Sequence, residues 1–339
     1  MNERYSRQIL FREIGAGGQE KLLNSRVLLV GCGALGASHA EILARAGVGF
    51  LRIVDRDFVE FTNLQRQTLY SESDAKERLP KAIAAKNRLA EINSEIEIDA
   101  IVADVNHSNI EGFVRDVDLI LDGTDNFQIR YLLNDACVKH KKPWIYGAAV
   151  SSYGTTMTIF PHETPCLRCI FEEMPDAGSS PTCDTAGVIQ PIISSISAIQ
   201  TTEALKILTG NREKLHKSLV QIDVWQNDWR KIKLAKPNAD CETCARANFE
   251  FLDAESGEFS AVLCGRNAVQ IAPPRTARID LANLAERLKN LGAVKQNEYL
   301  VRFTVEETEL TVFADARAII RGTDDVSVAR SLYAKFVGS

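Results

Sequence analysis

Four apolar, β-prone residues stand together at Val27-Leu28-Leu29-Val30, without the polar alternation of a strand that faces water on one side. Such a run reads as a strand buried on both faces, as in a parallel sheet. Gly31, Gly33 and Gly36 follow as a tight turn. Residues 37–46 then take helical spacing, and a second apolar strand at 50–54 stops at Asp55. Strand, glycine loop, helix, strand and acid in this order predict a nucleotide-binding unit. The glycines let backbone N–H groups approach phosphate oxygens, and the helix N-terminus adds about half a positive charge there. Asp55, at a strand tip, can accept hydrogen bonds from a ribose diol. The plainer alternative is a turn whose glycines only pack helix on sheet.

The alternation continues along the chain. Helical spacing recurs at 4–11, 19–23, 82–92, 130–139 and 191–208, and strands are predicted at 96–103, 119–122, 144–150 and 155–160. Strands alternating with helices predict an α/β fold with a doubly wound, mostly parallel, Rossmann-like sheet. The nucleotide half spans about 27–150. From 151 the texture changes: residues 175–181 form a Gly/Ser/Pro-rich loop, and the long helix after it has Pro191 in its first turn and Gly210 just past its end. Residues 220–225 and 229–234 read as a hairpin. After Cys244 the pattern restarts with a hairpin at 259–264 and 268–272, an amphipathic helix at 281–291, strands at 299–304 and 309–313, and a helix at 326–337. This divides the chain into 1–257 and a small C-terminal α+β module, 258–339.

A chain of 339 residues has room for two domains and a sizeable core. At 45% hydrophobic and 25% charged it has the composition of a folded globular protein, which sets aside fibrous and disordered classes. A net charge of −5 gives no general attraction for nucleic acid or an anionic membrane. No apolar run approaches the ~18 residues needed to cross a bilayer, and the first residues lack a signal peptide's apolar core. The expected setting is the cytoplasm, where eight cysteines point to metal or redox chemistry more than to disulfides.

Two CxxC pairs, Cys166/Cys169 and Cys241/Cys244, supply the four thiolates of a closed tetrahedral zinc shell. With no open coordination position such a zinc is structural. One pair could instead be a redox dithiol, but neither has a thioredoxin-like context. Arg66, Lys81 and Asp125 are the polar residues best placed near the nucleotide. Asp125 follows the end of a buried strand, where open α/β sheets collect ligands, and an acid there suits Mg²⁺. Arg66 and Lys81 can face phosphates, or be a solvated loop arginine and a lysine at a helix start. Cys183, in a glycine-rich loop ahead of a helix, is either an activated thiol or a small packed residue. Cys32, Cys137 and Cys264 read as packing, and the five histidines form no cluster.

In order along the chain stand Arg4-Tyr5-Ser6-Arg7-Gln8, the Gly31-x-Gly33-x-x-Gly36 loop, Asp55, Asn63-Leu64-Gln65-Arg66-Gln67, Lys81 and Thr124-Asp125-Asn126. The two CxxC pairs and Thr182-Cys183-x-x-Ala186-Gly187 complete the set. Together they resemble the ThiF/MoeB branch of the E1-like adenylyltransferases over roughly residues 1–245. The resemblance implies that the nucleotide is ATP, used with Mg²⁺. The substrate it implies is the C-terminal Gly-Gly carboxylate of a small ubiquitin-like sulfur carrier protein of thiamine or molybdopterin synthesis, with a sulfur donor protein as a further partner.

Carried over position by position, Asp55 binds the ribose, Asn63, Arg66 and Lys81 contact phosphates, and Asp125 holds the metal or assists directly. Arg7 matches an arginine that reaches the partner subunit's phosphates, which implies a homodimer. The four cysteines match structural zinc ligands, and 151–245 matches the carrier-binding and zinc part. Cys183 matches a position where some members form an acyl-disulfide or persulfide link after adenylation.

Rival readings explain less. A nicotinamide-dependent dehydrogenase shares the glycine loop and the acid, but not Arg66, Lys81, Asp125 and the paired cysteines together. A non-catalytic E1-like adaptor needs no phosphate-activating set. A tRNA-modifying E1-like dehydratase also adenylates, but the acidic balance shows no basic stripe for RNA.

Overall fold

The buried apolar runs become the central strands of the first sheet. The computed structural model describes residues 3–175, 182–253, 260–263, 267–272 and 278–338. Contacts divide the chain into two units, Met1–Asp253 and Ala254–Ser339. The first unit holds β1 (Arg26–Val30), β2 (Phe50–Asp55), β3 (Glu97–Val102), β4 (Leu119–Asp122), β5 (Trp144–Val150), β6 (Tyr153–Ile159), β7 (Ser218–Asp223) and β8 (Asp228–Lys233). They form one sheet in the order β3-β2-β1-β4-β5-β6-β7-β8. β1 to β5 run parallel, and the pairs from β5 onward are antiparallel. The order reverses direction between β1 and β4, so a crevice opens beyond their carboxyl ends.

Alternate residues feed opposite cores. Val27, Leu29, Leu51, Ile53 and Leu121 pack on the helices Ala34–Ala46 and Lys81–Ile92. Leu28, Val30, Val54, Ile120 and Trp144 pack on the other face, against the helix Phe127–Lys139. The sheet is therefore covered on both sides, which is why its strands carry unbroken apolar runs. The long helix Gln190–Thr209 has Pro191 in its first turn and ends at Gly210, whose φ of +90° suits glycine. Two helices begin three residues before their expected starts. Gly33 precedes the helix Ala34–Ala46, and the Asn126 side chain caps Phe127–Lys139 by accepting from Ile129 N. Caps are polar or small, so hydrophobic spacing does not mark them.

The second unit contains β9 (Ser260–Leu263), β10 (Ala268–Ile271), β11 (Ala293–Gln296), β12 (Leu300–Val305), β13 (Thr308–Phe313) and β14 (Ala318–Arg321). They form an antiparallel sheet in the order β11-β12-β13-β14-β10-β9. The helices Leu281–Leu288 and Val326–Phe336 bury Leu284, Leu288, Ala329 and Phe336 against Val301, Phe303, Leu310, Val312 and Ile320. β11 and β14 extend the strand set beyond the sequence reading. The expected loop residues 176–181, and Cys264, lie outside the described residues.

Candidate functional site

The glycine loop is a main-chain interlock. Gly31 has a φ of +83°, and a Cβ placed on it would lie 2.7 Å from Gly123 O. A Cβ on Gly36 would lie 1.9 Å from Gly31 O, and one on Gly123 2.5 Å from the same oxygen. The turn after β1 and the turn after β4 thus touch backbone to backbone, with the start of the helix Ala34–Ala46 wedged between them. No side chain fits at Gly36. Gly36→Ala should cost about 1–3 kcal/mol through overpacking; a melting midpoint equal to wild type would contradict this.

Asp55 ends β2 and is buried. Its Oδ2 accepts from Cys32 N at 2.6 Å and its Oδ1 from Asp57 N at 2.7 Å, so it ties the glycine loop to the tip of β2. Burial pushes its carboxyl up, and the Lys81 charge opposes that shift. Lys81 opens the helix Lys81–Ile92 and is 4% exposed. Its Nζ pairs with Asp57 Oδ2 at 3.1 Å, and its backbone N donates to Asp57 O at 2.9 Å. In this low-polarity setting the ammonium interacts strongly with the charges around it. Asn63 is buried in a short turn, where its Oδ1 accepts from Glu60 N. Arg66, three residues on, is half-buried and donates to Thr62 O at 2.9 Å.

Asp125 is exposed between β4 and the helix Phe127–Lys139. Its charge reaches Arg56 and Arg130, and helps hold both guanidinium groups fully protonated. Gly31, Gly36, Asp55, Lys81 and Asp125 therefore gather at the carboxyl ends of β1, β2 and β4. Gly33, just ahead of the helix Ala34–Ala46, lies in the same loop.

Arg7 is elsewhere. Its neighbours Tyr5 and Gln8 contact the far end of the helix Ala34–Ala46: Gln8 Nε2 donates to Ala46 O, and the Tyr5 ring lies against Gly47. A thirteen-residue helix is about 20 Å long, so the same chain's glycine loop lies roughly that far from this end. Arg7 is exposed, and so are Leu10 and Phe11, at 73% and 58%.

The four cysteines converge. Sγ separations are 3.8 Å for Cys166–Cys169, 3.6 Å for Cys166–Cys241 and 3.4 Å for Cys169–Cys244, and all four sulfurs lie within 4.8 Å of one another. A tetrahedral ion with sulfur at about 2.3 Å requires edges of about 3.8 Å. The donor set and its size both suit such an ion. Burial and the hydrogen bond with Cys169 push the Cys244 thiol up, while the hydrogen bond with Cys166 pulls the Cys169 thiol down. The flanking chain is pinned by the helix Phe127–Lys139: Asn134 Oδ1 accepts from Leu167 N, and Asp135 accepts from Thr243 Oγ1 and Phe251 N.

Cys183 opens a four-residue helix, Cys183–Ala186, capped by Thr182. Its Sγ points to Ala149 O at 3.6 Å and packs with Leu35, Val188 and Ile192. Cys32 and Cys137 are buried packing residues. Among the histidines, burial pushes His39 down to about 4, and its Nε2 donates to Gln200 Oε1 at 2.9 Å. It is a neutral structural group. Sequence reasoning passed over Asp57, Gly123 and Arg130. The Asp55-x-Asp57 spacing was the available signal for the first; an arginine at a helical position gave none for the last.

Comparison with known proteins identifies the family. The model of the ThiF family matches residues 5–243. The chain is 45% identical over 340 aligned positions to the sulfur carrier protein ThiS adenylyltransferase of Bacillus subtilis, covering all of both chains. It is 38% identical to the molybdopterin-synthase adenylyltransferase of Escherichia coli, over 72% of this chain and 96% of that one. Among solved structures, E. coli MccB with MccA-N7isoASN superposes at a TM-score of 0.63 and 25% identity, over 72% of this chain and 75% of that one. With that model spanning well over half of the sequence and a relative matched along its whole length, the chain belongs to the ThiF family.

Proposed function

We propose that this chain adenylates the C-terminal glycine carboxylate of a small ubiquitin-like sulfur carrier protein, with ATP as the second substrate. The observation that carries the reading is the buried Lys81–Asp57 pair beside Asp55 at the glycine interlock, where an ammonium and close backbone meet and no histidine stands among these residues. No general base is needed. A carboxylate is ionised at neutral pH, so one of its oxygens attacks the α-phosphorus directly. The bond from that phosphorus to the bridging oxygen breaks, pyrophosphate leaves, and an acyl-adenylate forms. The task is positioning and charge neutralisation.

Asp55 would take the ribose, Asn63, Arg66 and Lys81 the phosphates, and Asp125 a Mg²⁺ that neutralises the departing pyrophosphate. The four cysteines would hold a structural Zn²⁺. Arg7 sits a helix length from its own loop, beside the exposed Leu10 and Phe11; this supports a homodimer in which Arg7 serves the partner's site. Residues 1–257 would form the adenylating part, with 151–245 carrying the carrier-binding and zinc segments. The module 258–339 is added to it. The full-length likeness to an enzyme named for ThiS favours the thiamine-type carrier over the molybdopterin type.

ATP–pyrophosphate exchange with each carrier in turn tests this. Exchange with the thiamine-type carrier is expected, and exchange with neither carrier would sink the proposal. Cys183 would act only after the adenylate exists, so Cys183→Ser should leave exchange within about 2-fold of wild type, because it removes no group from the phosphate site. A loss of exchange in that variant would place the thiol in the adenylation step instead.

A further inference from the structure

β4 and β5 part company just where the candidate site begins. Their ladder consists of Ile120↔Trp144 and Leu121↔Ile145 and stops there. Beyond it, side chains replace main-chain pairing. Arg130 comes up from the helix Phe127–Lys139 and is 4% exposed. Its Nε donates to Asp122 Oδ2 at 3.1 Å, and its Nη2 donates to Thr124 O at 2.7 Å and Gly147 O at 3.1 Å.

Asp122, fully buried, turns its other oxygen to the loop: Oδ1 accepts from Thr124 N at 2.9 Å and Thr124 Oγ1 at 2.7 Å. Gln200 closes the far side by donating to Asp122 O and Ile145 O, both at 3.3 Å. The guanidinium is walled by the Phe127 and Tyr146 rings. Every one of these bonds ends on the residues immediately before Asp125, or on the strand opposite. A buried ion pair is an expensive way to gain stability, since desolvation cancels most of the attraction. Its geometric yield is larger, because a guanidinium fork fixes three acceptors at set angles.

We propose that the Asp122–Arg130 pair is a positioning device: it holds the Gly123–Thr124 turn so that the Asp125 carboxylate stands at a fixed place over the β1/β4 crevice. Arg130 touches no reacting atom in this scheme and acts through Asp125. The activity readout rests on the adenylation reading above. Arg130→Lys keeps the charge but loses the fork, so the loop is free to drift. A misplacement of about 1 Å can cost about 10²-fold.

The test measures pyrophosphate exchange, ATP KM and melting midpoint in Arg130→Lys, Asp125→Ala and the double variant. The expected result is a kcat at least ~10-fold lower in Arg130→Lys with ATP KM within ~3-fold, and no further loss when Arg130→Lys is added to Asp125→Ala. Unchanged kcat, a parallel rise in KM, or additive losses in the double variant would overturn the proposal. Amide hydrogen exchange supplies a readout that needs no carrier and no turnover. Thr124, Asp125 and Asn126 should exchange faster in Arg130→Lys while β1 and β4 keep their protection. If the wild type adenylates no carrier, the function falls and this second readout still decides: a loop as protected as in wild type overturns the positioning role. Thr124→Ala, which leaves the ion pair and core intact, should show a weaker form of the same loosening and guards against misfolding of Arg130→Lys.

Discussion

Asp125→Ala should lower ATP–pyrophosphate exchange by about 10²–10³-fold, the usual loss when one group that stabilises transition-state charge is removed. The side chain is exposed and ends no buried network, so the melting midpoint should move by less than about 2 °C. That combination is the informative part. Substitution of a buried residue such as Asp122 confounds activity with folding, whereas Asp125 separates them. Its carboxylate lies within electrostatic reach of Arg56 and Arg130, which keep their own partners Asp104 and Asp122, and its removal leaves Asn63, Arg66 and Lys81 in place. Binding of ATP should therefore persist while turnover fails. Retained exchange in Asp125→Ala would remove this residue from the reaction and, with it, the proposed place for Mg²⁺.

The second large effect concerns stability. Cys241→Ser should abolish metal binding and lower the melting midpoint by about 10 °C, corresponding to roughly 3–5 kcal/mol for a unit of this size. Elemental analysis should find about one zinc per wild-type chain and close to none in the variant, since a four-thiolate shell loses its closure with one ligand. The loss falls on a defined part of the molecule: Cys166, Cys241 and Leu167 belong to the core beneath the helix Phe127–Lys139. A variant with wild-type metal content and an unchanged midpoint would show that these sulfurs pack without an ion.

Much of the first sheet was legible because its strands are buried on both faces. Val27–Val30 and Leu119–Leu121 have no polar alternation to confuse the period. β11 was not legible: Ala293-Val294-Lys295-Gln296 is mostly exposed and is a strand only because β12 pairs with it. The glycines and Asp55 could be read because their order along the chain mirrors one local unit. The convergence of the cysteines could be read because a spacing of three places two thiols side by side. What could not be read is long-range pairing. Asp57 and Lys81 meet only when a strand tip lies beside a helix start, and Arg130 meets Asp122 and Gly147 only when its helix packs under β4 and β5. The position of Arg7 is a similar case, since no periodicity tells which end of a neighbouring helix a short N-terminal segment will cover.

The cysteine cluster also imposes a timetable. Its two halves are separated by roughly seventy residues, a span whose closure costs only slightly more than that of a short loop. A ribosome must nevertheless release Cys244 before the shell can close. Until then, Leu167 and its neighbours lack their cover, and the nucleotide half of the sheet stands with one flank unfinished. Capture of an ion by these sulfurs would then be a late event in the maturation of each new chain. Zinc starvation should accordingly show itself first as newly made protein lost to proteolysis, while molecules already assembled continue to work.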